Sequence, residues 1–252
     1  MERLTRLGLA CRGVLYGLIG FLALQIAFDG GSKGKEADKT GAIEMVAEQP
    51  FGTVLLWLMV AGFAALTIWQ LSEAIIGRGR TKDRVESVAR TVVYGLIVAA
   101  LLNTLLRGDP GSSTDESSHD LTAKAMDLPG GQFLVGLAGL GVIALGAYWI
   151  HRGWKKKFLK DMRTGEMPPK VRSLADKLGM AGYIARGVIA AIAGVFVIQA
   201  AVTYDPDKAK GIDATLRALA DAPAGPWLLA LIAIGLILFA VYCFFEARWH
   251  RV

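Results

Sequence analysis

The sequence predicts an all-α integral membrane protein, a six-helix bundle built from three parallel helical-hairpin repeats with pseudo-three-fold symmetry. Three observations predict it: six separated apolar stretches, a one-sided distribution of basic residues, and a two-helix pattern that recurs three times. Of the 252 residues 54% are hydrophobic and 20% charged. Such a chain is too apolar to stay disordered, and its two cysteines are too few for a disulfide scaffold.

The apolar stretches cover 9–28, 53–76, 88–106, 132–150, 183–203 and 227–245. Each approaches the ~20 residues that carry a helix across the hydrocarbon layer. A soluble helix would interpose a polar face every three or four residues, yet Val54–Leu66 and Leu228–Tyr242 are apolar all round. The first stretch follows Arg3 and Arg6, as a signal peptide would. No small-x-small cleavage site precedes Asp29, and the repeat needs this helix, so it is read as a retained span.

Charge orients the spans. Both termini and the connections between spans two and three and spans four and five carry 20 of the 28 Lys and Arg residues, with 8 of the 22 acids. The remaining loops carry 8 basic and 14 acidic residues. The net +6 therefore divides into +12 on one side and −6 on the other. Basic loops remain in the cytoplasm, so the sequence predicts cytoplasmic termini, and its basic character is a topology signal rather than a sign of nucleic-acid binding.

The repeat emerges when Arg12, Arg90 and Arg186 are aligned. Thirteen positions after each Arg stands an amide: Gln25, Asn103 and Gln199. Aligning Pro50, Pro129 and Pro223 places Gly52, Gly131 and Gly225 two positions on, and Gly62, Gly141 and Gly235 twelve positions on. Trp69, Tyr148 and Tyr242 follow nineteen positions on. The units are 1–79, 80–160 and 161–252. All share one topology, so they are parallel repeats about an axis along the membrane normal. Helix-like runs at Ala42–Glu48, Leu121–Asp127 and Ala214–Asp221 precede the prolines and are expected to form amphipathic turns on the outer surface. The prolines themselves suit a first helical turn.

This pattern resembles the domain-of-unknown-function 1206 family of bacterial membrane proteins, with three two-helix units. The resemblance rests on Ala10-Cys11-Arg12-Gly13-Val14-Leu15-Tyr16-Gly17, on Ala185-Arg186-Gly187-Val188, and on the Pro-x-Gly entries. Thr91 replaces the glycine after Arg90, so the second unit departs most. The resemblance implies a multi-pass protein of the bacterial plasma membrane and carries over no activity, cofactor or catalytic residue.

The recurrent residues define the candidate sites. Gly13, Gly17 and Gly20 form one stripe, and Gly187, Ala191 and Gly194 another; small residues at this spacing let helices approach closely in lipid. Gln25, Asn103 and Gln199 lie ~20 Å along the helix from their arginines, at 1.5 Å per residue. Two readings are open: each amide bonds unpaired backbone at the start of a returning helix, or the three form a solute-selecting ring on the axis. Arg12, Arg90 and Arg186 sit at the cytoplasmic boundary, where long side chains reach water easily. Glu73 and Glu246 are placed to pair with Arg12 and Arg186 within their repeats. Arg152 stands where the second repeat should have its acid, so Arg90 draws on Glu73 or Glu86. Arg152, Trp154, Lys155, Lys156 and Lys157 combine an interfacial aromatic with a cationic cluster suited to anionic lipid headgroups.

Chemistry-bearing constellations are absent from the sequence. His119, His151 and His250 are scattered without metal-ligand spacing. The serines of the acidic loop around Asp115, His119 and Asp120 read as loop residues rather than a triad. Cys11 and Cys243 read as packing residues. The expectation is a non-enzymatic scaffold or accessory subunit that binds lipids or other membrane proteins, without cofactor or metal. The alternative is a channel or carrier for a small solute or ion along the pseudo-three-fold axis.

Overall fold

The computed structural model describes residues 2–29, 36–76, 81–108 and 112–250. The first span is α1 (Glu2–Asp29). The short α2 (Lys39–Ala47) leads into the returning α3 (Gly52–Ile76). The pattern repeats as α4 (Thr81–Arg107), α5 (Thr114–Met126) and α6 (Gly131–Trp154), and again as α7 (Pro169–Thr203), α8 (Ile212–Ala220) and α9 (Gly225–Trp249). Six helices are long and apolar enough to cross a membrane, and no strand forms among the described residues. At 35 residues, α7 runs well past the predicted 183–203. Its first turns precede that stretch; Phe158 packs against Gly179 there and lies face-on to Tyr183 at 5.3 Å.

The Pro-x-Gly entries build one local structure three times. The amides of Gly52, Gly131 and Gly225 donate to the carbonyls of Gln49, Leu128 and Ala222 at 2.7, 2.8 and 2.7 Å. Each closes a four-residue turn with proline second, where its fixed φ is preorganised. The prolines thus lie in the turn before each returning helix, a correction to their predicted place in its first turn. The glycine is required because its Cα abuts the end of the short helix. A Cβ at Gly131 would sit 1.8 Å from the Ala125 carbonyl oxygen, and one at Gly225 2.2 Å from that of Ala220.

Packing across repeats is more extensive than packing within them. The main contacts join α9 to α1, α6 to α7 and α3 to α4: each returning helix lies on an entering helix of another hairpin. Small residues set the approach. Gly187 faces Gly146 in α6, and Gly13 faces Ala240 in α9, the corresponding repeat position. Gly194 lies against Gly139 and Ile143, as Gly20 lies against Ala233 and Ile237. The glycine stripes are therefore packing surfaces.

Within hairpins, α1 meets α3 and α7 meets α9. At these seams Gly62 lies against Gly8 and Cys11, and Gly235 against Ala185. The second hairpin differs. No substantial contact joins α4 and α6 among the described residues, and a Cβ on Gly141, the counterpart of Gly62 and Gly235, would meet nothing within 4 Å. The helices follow the order α4–α3–α1–α9–α7–α6, open between its ends. The sequence offers a reason: Glu86 stands where the other entering helices have Gly8 and Gly182, so α4 lacks the small residue that admits close approach. The spans of α1 and α9 are each 56% buried, those of α4 and α6 11% and 17%, which makes the first pair the centre of the bundle.

Candidate functional site: two polar clusters at the ends of the bundle

Polar groups concentrate at the two ends. At the end that holds the chain termini, cross-repeat packing brings Glu246 of α9 against Arg12 of α1, and their side chains form a buried ion pair. Arg12 Nη1 also donates to the Tyr94 hydroxyl at 3.1 Å. The predicted Arg186–Glu246 pair is not formed. Glu246 is carried to the neighbouring hairpin instead of its own, because the returning helix lies on the next entering helix. Glu73 and Glu86, the predicted acids for Arg12 and Arg90, have side chains outside the described residues. Arg90 has electrostatic contact with Glu246 and Asp161.

The same geometry would set Arg152 of α6 against Arg186 of α7, cation against cation. The structure separates them. Arg152 pairs with Asp161, which follows in a short 3-10 turn (Lys157–Asp161), and donates to the Tyr148 hydroxyl at 3.0 Å. Arg186 lies instead among three rings, 4.7 Å from Tyr16, 4.4 Å from Trp149 and 4.6 Å from Phe239. The ring faces carry partial negative charge and stabilise the guanidinium where no carboxylate is supplied.

Arg152 is 7% exposed and held by Asp161, so it is withdrawn from the lipid contact the sequence assigned to it. Trp154, Lys155, Lys156 and Lys157 are exposed. Lys156 pairs with Asp176 at 2.6 Å, and Lys157 meets His151 Nε2 at 2.9 Å. His250 is buried beside the cluster, 4.0 Å from Glu246 and edge-on to Trp69. Burial pushes its pKa below the ordinary value, against the upward pull of Glu246. Burial raises that of Asp161, which Arg152 partly counters.

The intramembrane amides do not share one environment. Gln25 and Asn103 are half-buried and Gln199 is exposed. The capping role predicted for them is not seen among the described residues; Gln132 of α6 bonds across a repeat instead, donating to the Ala201 carbonyl at 2.7 Å. The polar clefts described at the two ends of the bundle are lined by other residues.

At the opposite end, three aspartates tie the short helices into a closed cycle that the sequence reading missed. Asp38 accepts from the Thr114 amide of the second repeat at 2.8 Å. Asp115 accepts from the Ala214 amide of the third at 2.8 Å. Asp213 accepts from the Ala37 amide of the first at 2.8 Å. Asp38 also caps α2 through the amides of Thr40 and Gly41. A signal was present: a hydroxyl residue follows each aspartate two positions on, as Thr40, Ser117 and Thr215. Burial raises the pKa of Asp115 and of Glu36 beside it.

Segments 7–77, 85–156 and 181–250 each match the family described as Domain of Unknown Function (DUF1206). The chain belongs to this family. The three DUF1206 matches follow the three hairpins, each holding one entering and one returning helix. The chain is also similar to "Uncharacterized protein YxxB" of Bacillus subtilis (strain 168), 31% identical over 260 residues that span 100% of this chain and 92% of the relative. No solved structure matches the chain. The DUF1206 description names no activity, and the protein is a multi-pass membrane protein of three hairpins.

Proposed function

We propose that the protein is a non-enzymatic scaffold or accessory subunit of the bacterial plasma membrane, with its termini in the cytoplasm, that binds lipids and other membrane proteins. The observation that carries this reading is the filled centre of the bundle at the terminal end. Arg12, Glu246, Arg186, Phe239, Tyr183 and Tyr242 pack together there, with Phe239 and Tyr242 fully buried. A buried ion pair and an aromatic cage make a plug rather than a passage for solute. Gln199 lies exposed instead of meeting Gln25 and Asn103, which also favours the scaffold over a selective ring. The lipid-facing α4 and α6 supply surface for partners, and Trp154, Lys155, Lys156 and Lys157 would rest on anionic headgroups, each Lys adding about 1 kcal/mol of attraction.

The test is flux. Liposomes holding the purified protein are loaded with dyes that report protons, monovalent cations and small anions. The scaffold reading predicts the same leak as empty liposomes, for the wild type and for a triple Gln25→Leu, Asn103→Leu, Gln199→Leu variant. Solute flux in the wild type that the folded triple variant loses would establish the channel instead.

A further inference from the structure

The short-helix end holds a cleft that the aspartate cycle does not account for. It opens between the first and second repeats, with a volume of about 410 Å³. Glu36, Thr40, Gly41 and Glu44 line it from the α2 side, and Ser113, Asp115 and Glu116 from the start of α5. Four of these seven residues carry carboxylates and none is basic. Asp115 is half-buried and tied to Ala214.

Three polar atoms in the wall, Glu36 Oε2, the Thr40 hydroxyl and Asp115 Oδ1, lack the hydrogen-bond partner that burial demands. Thr40 is 7% exposed, yet its hydroxyl forms no hydrogen bond. Thr40 is the second residue of α2, so no preceding turn offers it the i−4 carbonyl that Thr67 and Thr104 use at 2.8 and 2.9 Å. Glu36 Oε2 is likewise buried and unpartnered. Buried polar atoms are nearly always bonded, so such exceptions call for a missing partner. Several carboxylates with a hydroxyl and no basic side chain favour a positively charged donor. Among the described residues no three acids lie close enough together to hold one metal ion. A cation with its charges spread along a chain suits carboxylates carried on both walls, and the cleft has room for it.

We propose that this cleft binds a small organic polycation of the polyamine class. One ammonium would take Glu36 and the Thr40 hydroxyl, and another would take Glu44 or Glu116. The site joins α2 to α5, so occupancy would brace the first repeat against the second, the repeat whose own helices are splayed. This inference stands apart from the scaffold reading: a bundle that conducts solute could carry the same site, and binding is read without flux.

Calorimetric titration of the full chain in uncharged detergent tests it, with spermidine as the probe. The expected result is saturable binding with Kd below about 1 mM, weakened by rising salt as exposed charge pairs are. Glu36→Gln and Glu44→Gln should each weaken binding about tenfold, one charge-assisted hydrogen bond apiece. Thr40→Val keeps the shape of the side chain and removes the orphan hydroxyl. It should leave the melting temperature of the unliganded protein unchanged or raised, yet weaken spermidine binding several-fold. This pair of readouts distinguishes a ligand-directed hydroxyl from a structural one. Absence of saturable binding to the wild type overturns the proposal, as does binding that Glu36→Gln, Glu44→Gln and Thr40→Val all leave intact. Tighter binding of calcium ions than of spermidine would replace the polycation with a metal. Binding that appears only after Lys33→Ala and Lys35→Ala would identify the chain's own lysines as the occupant, and would also overturn the proposal.

Discussion

His250 illustrates how one residue makes the terminal cluster sensitive to pH. Its ring is 5% exposed and both ring nitrogens lack hydrogen-bond partners. Glu246 and Asp161 attract its proton, Arg12 and Arg90 repel it, and burial outweighs them all to hold the pKa below the ordinary 6.5. In the unfolded chain the imidazole takes a proton near 6.5; in the folded chain it does so only at lower pH. Between those values the unfolded state binds more protons, so stability falls as pH falls. The melting temperature should therefore decline as pH drops below about 6.5, and His250→Phe, which keeps the ring against Trp69, should flatten that part of the profile. A parallel decline in the variant would assign the effect to other groups. Arg152 shows a different lesson at this scale. The sequence placed it among exposed lysines, and only the cross-repeat packing reveals that it would face Arg186, which Asp161 and an aromatic cage resolve.

At the scale of the element, the recurring glycines are not equivalent, and substitution separates them. Gly131→Ala would force a Cβ into the Ala125 carbonyl and should destabilise the protein by about 1–3 kcal/mol, as overpacking does. Gly141→Ala, on a face with nothing within 4 Å, should instead stabilise it by about 0.5–1 kcal/mol through helix propensity. Melting of the two variants in detergent checks the opposite signs; equal losses would mean that α6 is packed on both sides. Helix number and repeat order were legible in the sequence because apolar runs and their spacing are local properties, whereas the length of α7 was not, since its first turns lie outside the apolar run. The turn that holds each Pro-x-Gly was legible as a motif but not as a position, since the carbonyls that demand glycine belong to the preceding short helix. The Asp38–Asp115–Asp213 cycle was the least legible. Its aspartates stand at the starts of short helices of unequal offset, 12, 14 and 10 residues before the aligned prolines, so the register that reveals the hairpins hides them.

For the whole molecule, cross-repeat packing makes the three hairpins one structure. Each returning helix rests on another hairpin's entering helix, and the aspartate cycle closes the same circuit at the far end. The departure from three-fold equivalence is the seam between α4 and α6, where Glu86 replaces a glycine and Gly141 faces open space. In the scaffold we propose, the partner surface would lie on the splayed second repeat, where Val92, Leu96, Leu137 and Leu145 are exposed.

Disulfide mapping in native membranes, in a C11A/C243A background, measures this arrangement most directly. A Cβ on Gly17 lies 3.6 Å from that of Ala240, and one on Gly136 lies 3.8 Å from that of Ala201, both within the range that a disulfide spans. Gly17→Cys with Ala240→Cys should crosslink α1 to α9, Gly136→Cys with Ala201→Cys should crosslink α6 to α7, and Leu96→Cys with Leu145→Cys should leave α4 and α6 unlinked. Efficient crosslinking of the 96/145 pair, with failure of the other two, would contradict the cross-repeat order and the open seam together.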